Sequence, residues 1–83
     1  MARSFDFAAP GELFCARSVS RRSRVTYKRF DSAAKAIKFA VEELSADALR
    51  ATTLEVSEAR LRGDEITALY RHPEYPLRRK AAA

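Results

Sequence analysis

Eighty-three residues with 47% hydrophobic content and a net charge of +5 describe one domain that can bury a modest core, and they exclude general disorder. One cysteine excludes an intramolecular disulfide. Asp6 and Pro10 stand where a secretory apolar run would be, so a reducing cytoplasm is the expected setting. The most apolar stretch, Ala33 to Leu44, is broken by Lys35, Lys38, Glu42 and Glu43, which excludes a membrane span.

The charge is unevenly laid out. Residues 1–38 carry +6, residues 39–70 carry −4 and residues 71–83 carry +3. A basic front, an acidic middle and a basic tail favour a polyanionic partner at particular places rather than a uniformly basic coat.

Taken in order, residues 1–12 read as an irregular lead-in with a Pro10-Gly11 breaker. Phe5 and Phe7 alternate around Asp6, compatible with a short edge strand or with rings that cap the core. Residues 13–77 read as a single α+β domain, and residues 78–83 as a disordered basic and alanine tail. Leu13 to Phe30 is the most distinctive run. It holds six of the sixteen Lys and Arg and none of the eleven acids. Leu13-Phe14-Cys15-Ala16 and Val25-Thr26-Tyr27 are rich in strand formers, and the polar stretch between them predicts a β-hairpin. No Asn-Gly or Asp-Gly fixes its turn. A two-residue loop at Arg21-Arg22 would put Phe14, Ala16 and Ser18 on one face with Val25, Tyr27 and Arg29. Arg17, Arg24 and Lys28 would then lie on the other, which is expected to be strongly basic and partly wet.

Asp31 or Ser32 is a suitable N-cap for a helix carrying Ala34, Ile37, Val41 and Leu44 at helical spacing, with Ala33 and Ala40 filling the stripe. Phe39 lies off that stripe and is expected to touch the N-terminal segment or the tail. Ser45 to Ala48 reads as a break or short extra turn. Thr52 to Val56 reads as a third strand, with helical continuation through Leu61 as the rival. Gly63 breaks the chain before a short helix opened by Asp64-Glu65, with Ile66, Leu69 and Tyr70 inward and Arg71 and His72 at its end. Tyr75 and Leu77 are expected to dock on the core. The resulting fold is ββαβα, a three-stranded antiparallel sheet packed against two helices.

No catalytic site emerges. Cys15 reads as a small buried hydrophobe and His72 as a helix-terminal cation rather than as a nucleophile–base pair. Glu42/Glu43 and Asp64/Glu65 are adjacent on helices and point about 100° apart, which is unlike a two-carboxylate site. No metal-ligand spacing and no phosphate-cradling glycine loop is present, so no cofactor and no small-molecule substrate is expected.

The basic hairpin remains. Arg17, Arg21, Arg22, Arg24, Lys28 and Arg29 could contact phosphates of DNA or RNA, with Tyr27 and Phe30 interleaved for stacking and Arg78, Arg79 and Lys80 as an auxiliary tail. The rival class is protein interaction. A homodimer or an acidic partner could pair the basic hairpin with an acidic surface, or a partner strand could add to the sheet edge.

Overall fold

The computed structural model describes residues 5–16 and 25–77. The elements run β1 (Gly11–Ala16), β2 (Val25–Phe30), α1 (Ala33–Glu43), α2 (Ala46–Arg50), β3 (Thr53–Val56), β4 (Ala59–Arg62) and α3 (Gly63–Tyr70). The strands form one sheet in the order β2-β1-β3-β4, with every neighbouring pair antiparallel. The α+β class is as expected. The expected three strands and two helices are corrected to four strands and three helices among the described residues.

The additional strand is β4. Glu58 to Arg62 has helix-compatible composition, but it folds back on β3 through a two-residue turn at Ser57-Glu58, with Val56 opposite Ala59. Ser57 takes φ 55, in the left-handed region that a non-glycine residue enters at a cost. Pairing recovers that cost. Leu61 sits opposite buried Leu54, and Arg60 sits opposite Glu55, whose Oε2 accepts from Arg60 Nε at 3.1 Å and Nη2 at 2.8 Å. The additional helix is α2, one turn capped by the Ser45 hydroxyl, which accepts from the Ala48 N–H at 3.1 Å.

Gly11 to Ala16 pairs with Phe30 to Val25, placing Phe14 opposite Tyr27. A tip at Arg21-Arg22 would instead put Ala16 opposite Tyr27, so the register differs by two residues. Side chains alternate with period two, so this shift leaves the expected faces unchanged. Residues 17–24, the tip itself, lie outside the described residues.

The core forms where the inward residues of the central strands meet alanines. Leu13 and Cys15 of β1 and Leu54 and Val56 of β3 are buried beneath α1, which contributes Ala33, Ala34, Ala36, Ile37 and Ala40. A Cβ at Gly11 would stand 3.2 Å from Ala33 Cα and 3.3 Å from Ala36 Cβ, so helix and strand meet through their smallest side chains. Ser32 caps α1 by accepting from the Lys35 N–H at 3.3 Å. The residues before β1 complete this cap. Ala9 and Phe7 carbonyls accept from the N–H groups of Ala33 and Ala34, so that with Lys35 three of the donors that a helix start leaves unpaired are satisfied. Phe5 and Phe7 form no strand and pack against the core instead.

The C-terminal segment closes the same pole. Tyr75 is buried, stacks edge-on against Phe7 at 5.6 Å, and donates its hydroxyl to the Ala34 carbonyl at 2.8 Å. Ile66 and Tyr70 of α3 are buried as expected, and the Glu65 carboxylate caps the helix by accepting from the Arg62 N–H at 2.8 Å. Among the described residues no helix is long and apolar enough to cross a membrane.

Gly63 is where α3 presses against the end of α2. A Cβ there would lie 2.3 Å from the Leu49 carbonyl oxygen and 2.9 Å from its carbon, both backbone atoms. Gly63→Ala is therefore expected to destabilise the fold by about 2–3 kcal/mol. Gly11→Ala, which meets nothing closer than 3.2 Å, should cost less. Urea denaturation of both variants checks the order, and an unchanged midpoint for Gly63→Ala would refute this packing.

Candidate nucleic-acid interface

β2 lies at one edge of the sheet, and every residue from Val25 to Arg29 is exposed. The helices cover the middle strands, so even the β2 residues on the helical side reach solvent. Of the hairpin cations expected to bind, Lys28 and Arg29 are among the described residues. Arg17, Arg21, Arg22 and Arg24, like Arg78, Arg79 and Lys80 of the tail, lie outside them.

The strand alternation separates Lys28 from Arg29. Lys28 stands opposite Leu13, on the helical side. Its ammonium lies 5.1 Å from the centroid of the Phe39 ring, a cation–π distance. Phe39 also packs on Phe30 at 5.6 Å. The off-stripe ring of α1 thus meets β2 rather than the N-terminal segment or the tail, and Phe30 is directed toward the helices instead of standing beside Tyr27. Arg29 stands opposite Glu12 on the open, helix-free face.

That open face is ordered in rows across the four strands. One row runs Tyr27, Phe14, Thr53, Arg62, and the next runs Arg29, Glu12, Glu55, Arg60. Tyr27 is 52% exposed, and its ring lies 5.3 Å from that of half-buried Phe14 at an interplanar angle of 51°. The Tyr27 hydroxyl donates to Glu12 Oε2 at 2.7 Å. The sequence places Phe14 on one face with Tyr27 and Arg29. It gave no place to Arg60 and Arg62, because their stretch reads equally well as helix. Their signal was the alternation Arg60-Leu61-Arg62, a period-two pattern only three residues long.

Beyond Thr53 and Arg62 the face runs into a cleft of about 430 Å³, lined also by Arg50, Thr52 and Asp64. Arg50 is paired there with Asp47 at 3.0 Å, both side chains being well exposed.

The residues weighed for catalysis are dispersed. Cys15 is buried on the inner face, where burial pushes its thiol up from the ordinary value, opposed by a hydrogen bond with Thr52 and by the charge of Lys28. His72 stacks on Phe7 at 6.5 Å, and its Nδ1 accepts from the Glu74 N–H at 3.0 Å. Glu42 accepts from Lys38 Nζ at 3.0 Å and from the Tyr70 hydroxyl, whereas Glu43 is exposed. Among the described residues no group of His, Cys, Asp and Glu could hold a metal ion. Comparison of the chain with family models, with characterised proteins and with solved structures finds no match.

Two solution measurements check this arrangement. The hydrogen bond to Glu12 raises Tyr27 from the ordinary phenol value, with smaller contributions from burial and the Glu12 charge. Because the folded-state value is the higher one, the contribution of this bond to stability is complete below the unfolded tyrosine range and is lost as pH rises through the folded value. In an NMR titration of ring-labelled tyrosine, Glu12→Gln should shift the Tyr27 midpoint down. No movement would mean that the bond does not form in solution. Cys15 should resist alkylation in the native protein and react readily in denaturant. Native reactivity equal to that of the unfolded chain would contradict its burial.

Proposed function

We propose that this protein is a non-enzymatic nucleic-acid-binding module whose basic β-hairpin contacts phosphates of DNA or RNA. Arg21, Arg22, Arg24, Lys28 and Arg29 would make the principal contacts, with Arg17 flanking them and Arg78, Arg79 and Lys80 auxiliary. The observation that carries this reading is the position of β2. The second strand of an acid-free run is the outer strand of the sheet, exposed along Val25 to Arg29. It therefore offers cations to a partner without unpacking the core. Neutralising phosphates releases counterions, which gives even a small surface useful affinity for a polyanion. The rival, a partner strand added along the β2 edge, is disfavoured by Lys28 and Arg29, since charged side chains are a usual means of blunting an open edge.

Labelled duplex DNA, single-stranded DNA and structured RNA, titrated against the full chain across salt concentrations, test the reading. Binding should weaken steeply with salt. Replacing Arg21, Arg22 and Arg24 together by Glu should abolish it at moderate salt and flatten the slope of log K against log salt by about 2–3 for three lost phosphate contacts, with an unchanged circular dichroism spectrum. Undiminished binding to DNA and RNA after this replacement would refute the hairpin as the contact surface.

A further inference from the structure

We infer that the open face of the sheet is a platform for single-stranded nucleic acid, with bases stacking on Phe14 and Tyr27 and the backbone held toward the arginine-bearing edge strands. This deepens, and rests on, the nucleic-acid reading above, and it assigns a second set of contacts that shares only Arg29 with the hairpin cations.

Three features of the face carry it. The first is the aromatic pair. Tyr27 is 52% exposed beside half-buried Phe14, at a ring separation of 5.3 Å. Among the described residues no helix lies on this side, since the residues buried beneath the helices are those of the opposite alternation, Leu13, Cys15, Leu54 and Val56. Adjacent exposed rings on a sheet accept the faces of unpaired bases, whereas a duplex has its base faces occupied by its own stacking.

The second is the placement of charge. In the row Arg29, Glu12, Glu55, Arg60 the cations occur on the outer strands β2 and β4, and the carboxylates on the inner strands β1 and β3. A duplex laid flat across this face would bring phosphates over Glu12 and Glu55. A single strand can turn its bases inward instead. Base edges carry amino and imino donors, and an ionised carboxylate is an acceptor with several lone pairs. Phosphates then face the rim, where Arg29 and Arg62 stand, with Arg60 beside them in its ion pair with Glu55.

The third is continuity. The row Tyr27, Phe14, Thr53, Arg62 crosses three strand spacings, about 14 Å. It ends at the 430 Å³ cleft that Arg50 and Arg62 line. That length suits a run of about two or three unpaired nucleotides, with a polar cleft at its end, lined by Arg50, Arg62 and Asp64, for the next part of the backbone.

The test uses the full chain with a single-stranded oligonucleotide carrying a fluorescent purine analogue, and with the same sequence as a duplex. The single strand should bind at least tenfold more tightly than the duplex, and the analogue's emission should be quenched as its base stacks. Phe14→Leu and Tyr27→Leu retain apolar character on the strands, and each should weaken single-strand binding about tenfold, the size of one base–aromatic stack. Duplex binding through the hairpin should be unaffected. Preference and quenching are read on the unaltered protein, so they stand even if a variant unfolds. Equal or tighter duplex binding without quenching would overturn the platform and leave the hairpin reading in place. Absence of binding to every probe would overturn both. A dimer in light scattering that becomes monomeric on Tyr27→Leu would show that a second copy occupies the face and would also overturn the inference.

Discussion

The contact on which the structure depends is the close approach of α1 to β1. Gly11 on the strand and Ala33 and Ala36 on the helix remove the side chains that would hold the two apart. Interiors are packed nearly as densely as organic crystals, so a short interaxial distance must be filled by small groups rather than by gaps. Ile37, Leu13 and Leu54 then supply the larger apolar volume around that contact. An alanine-faced helix covers the middle strands and meets β2 through Phe39, against Phe30 and Lys28, while Val25 to Arg29 stay exposed. The exposure of β2 therefore follows from the economy of the core, and the surface available to a partner is a consequence of how the interior closes.

The same economy explains the two characters of the hairpin's second strand. On the helical side, Lys28 rests over Phe39 and shields part of a ring that α1 cannot bury, with its charged head at the surface. On the other side, Tyr27 and Arg29 have no layer above them among the described residues. Glu12 and Glu55, directly opposite each other on neighbouring strands, would repel if left alone. Tyr27 donates to the first and Arg60 to the second. The open face is thus held in order by polar contacts across strands, with a net cationic rim formed by Arg29, Arg60 and Arg62 among the described residues.

Much of the fold was legible because its signals are strong and local. The Ser32 cap with its alanine–isoleucine stripe, the alternation in β1 and β3, the acidic start of α3 and the docking of Tyr75 all follow from periodicity and capping chemistry. The face-sharing of Phe14, Tyr27 and Arg29 was also legible, because a register shift of two preserves it. β4 was not. Ala59, Arg60, Leu61 and Arg62 favour helix by composition, and Ser57-Glu58 lacks the glycine or asparagine that marks a tight hairpin. Tertiary pairing with β3 overrides both. With β4 unseen, the arginines of the far rim could not be assigned to the sheet, and the division between a carboxylate centre and a cationic border was hidden. The place of Phe39 was missed for a related reason, since nothing local to α1 indicates that β2 would pass beside it.

The closure at the start of α1 bears on how much of the chain the fold needs. Phe7 and Ala9 supply acceptors to the first turn of that helix, and Tyr75, among the last residues described, reaches the carbonyl of Ala34 in the same turn. The rings of Phe7, Tyr70 and Tyr75 meet at this point, so a chain cut before residue 75 would lose both the ring cluster and the hydroxyl that ties it to α1.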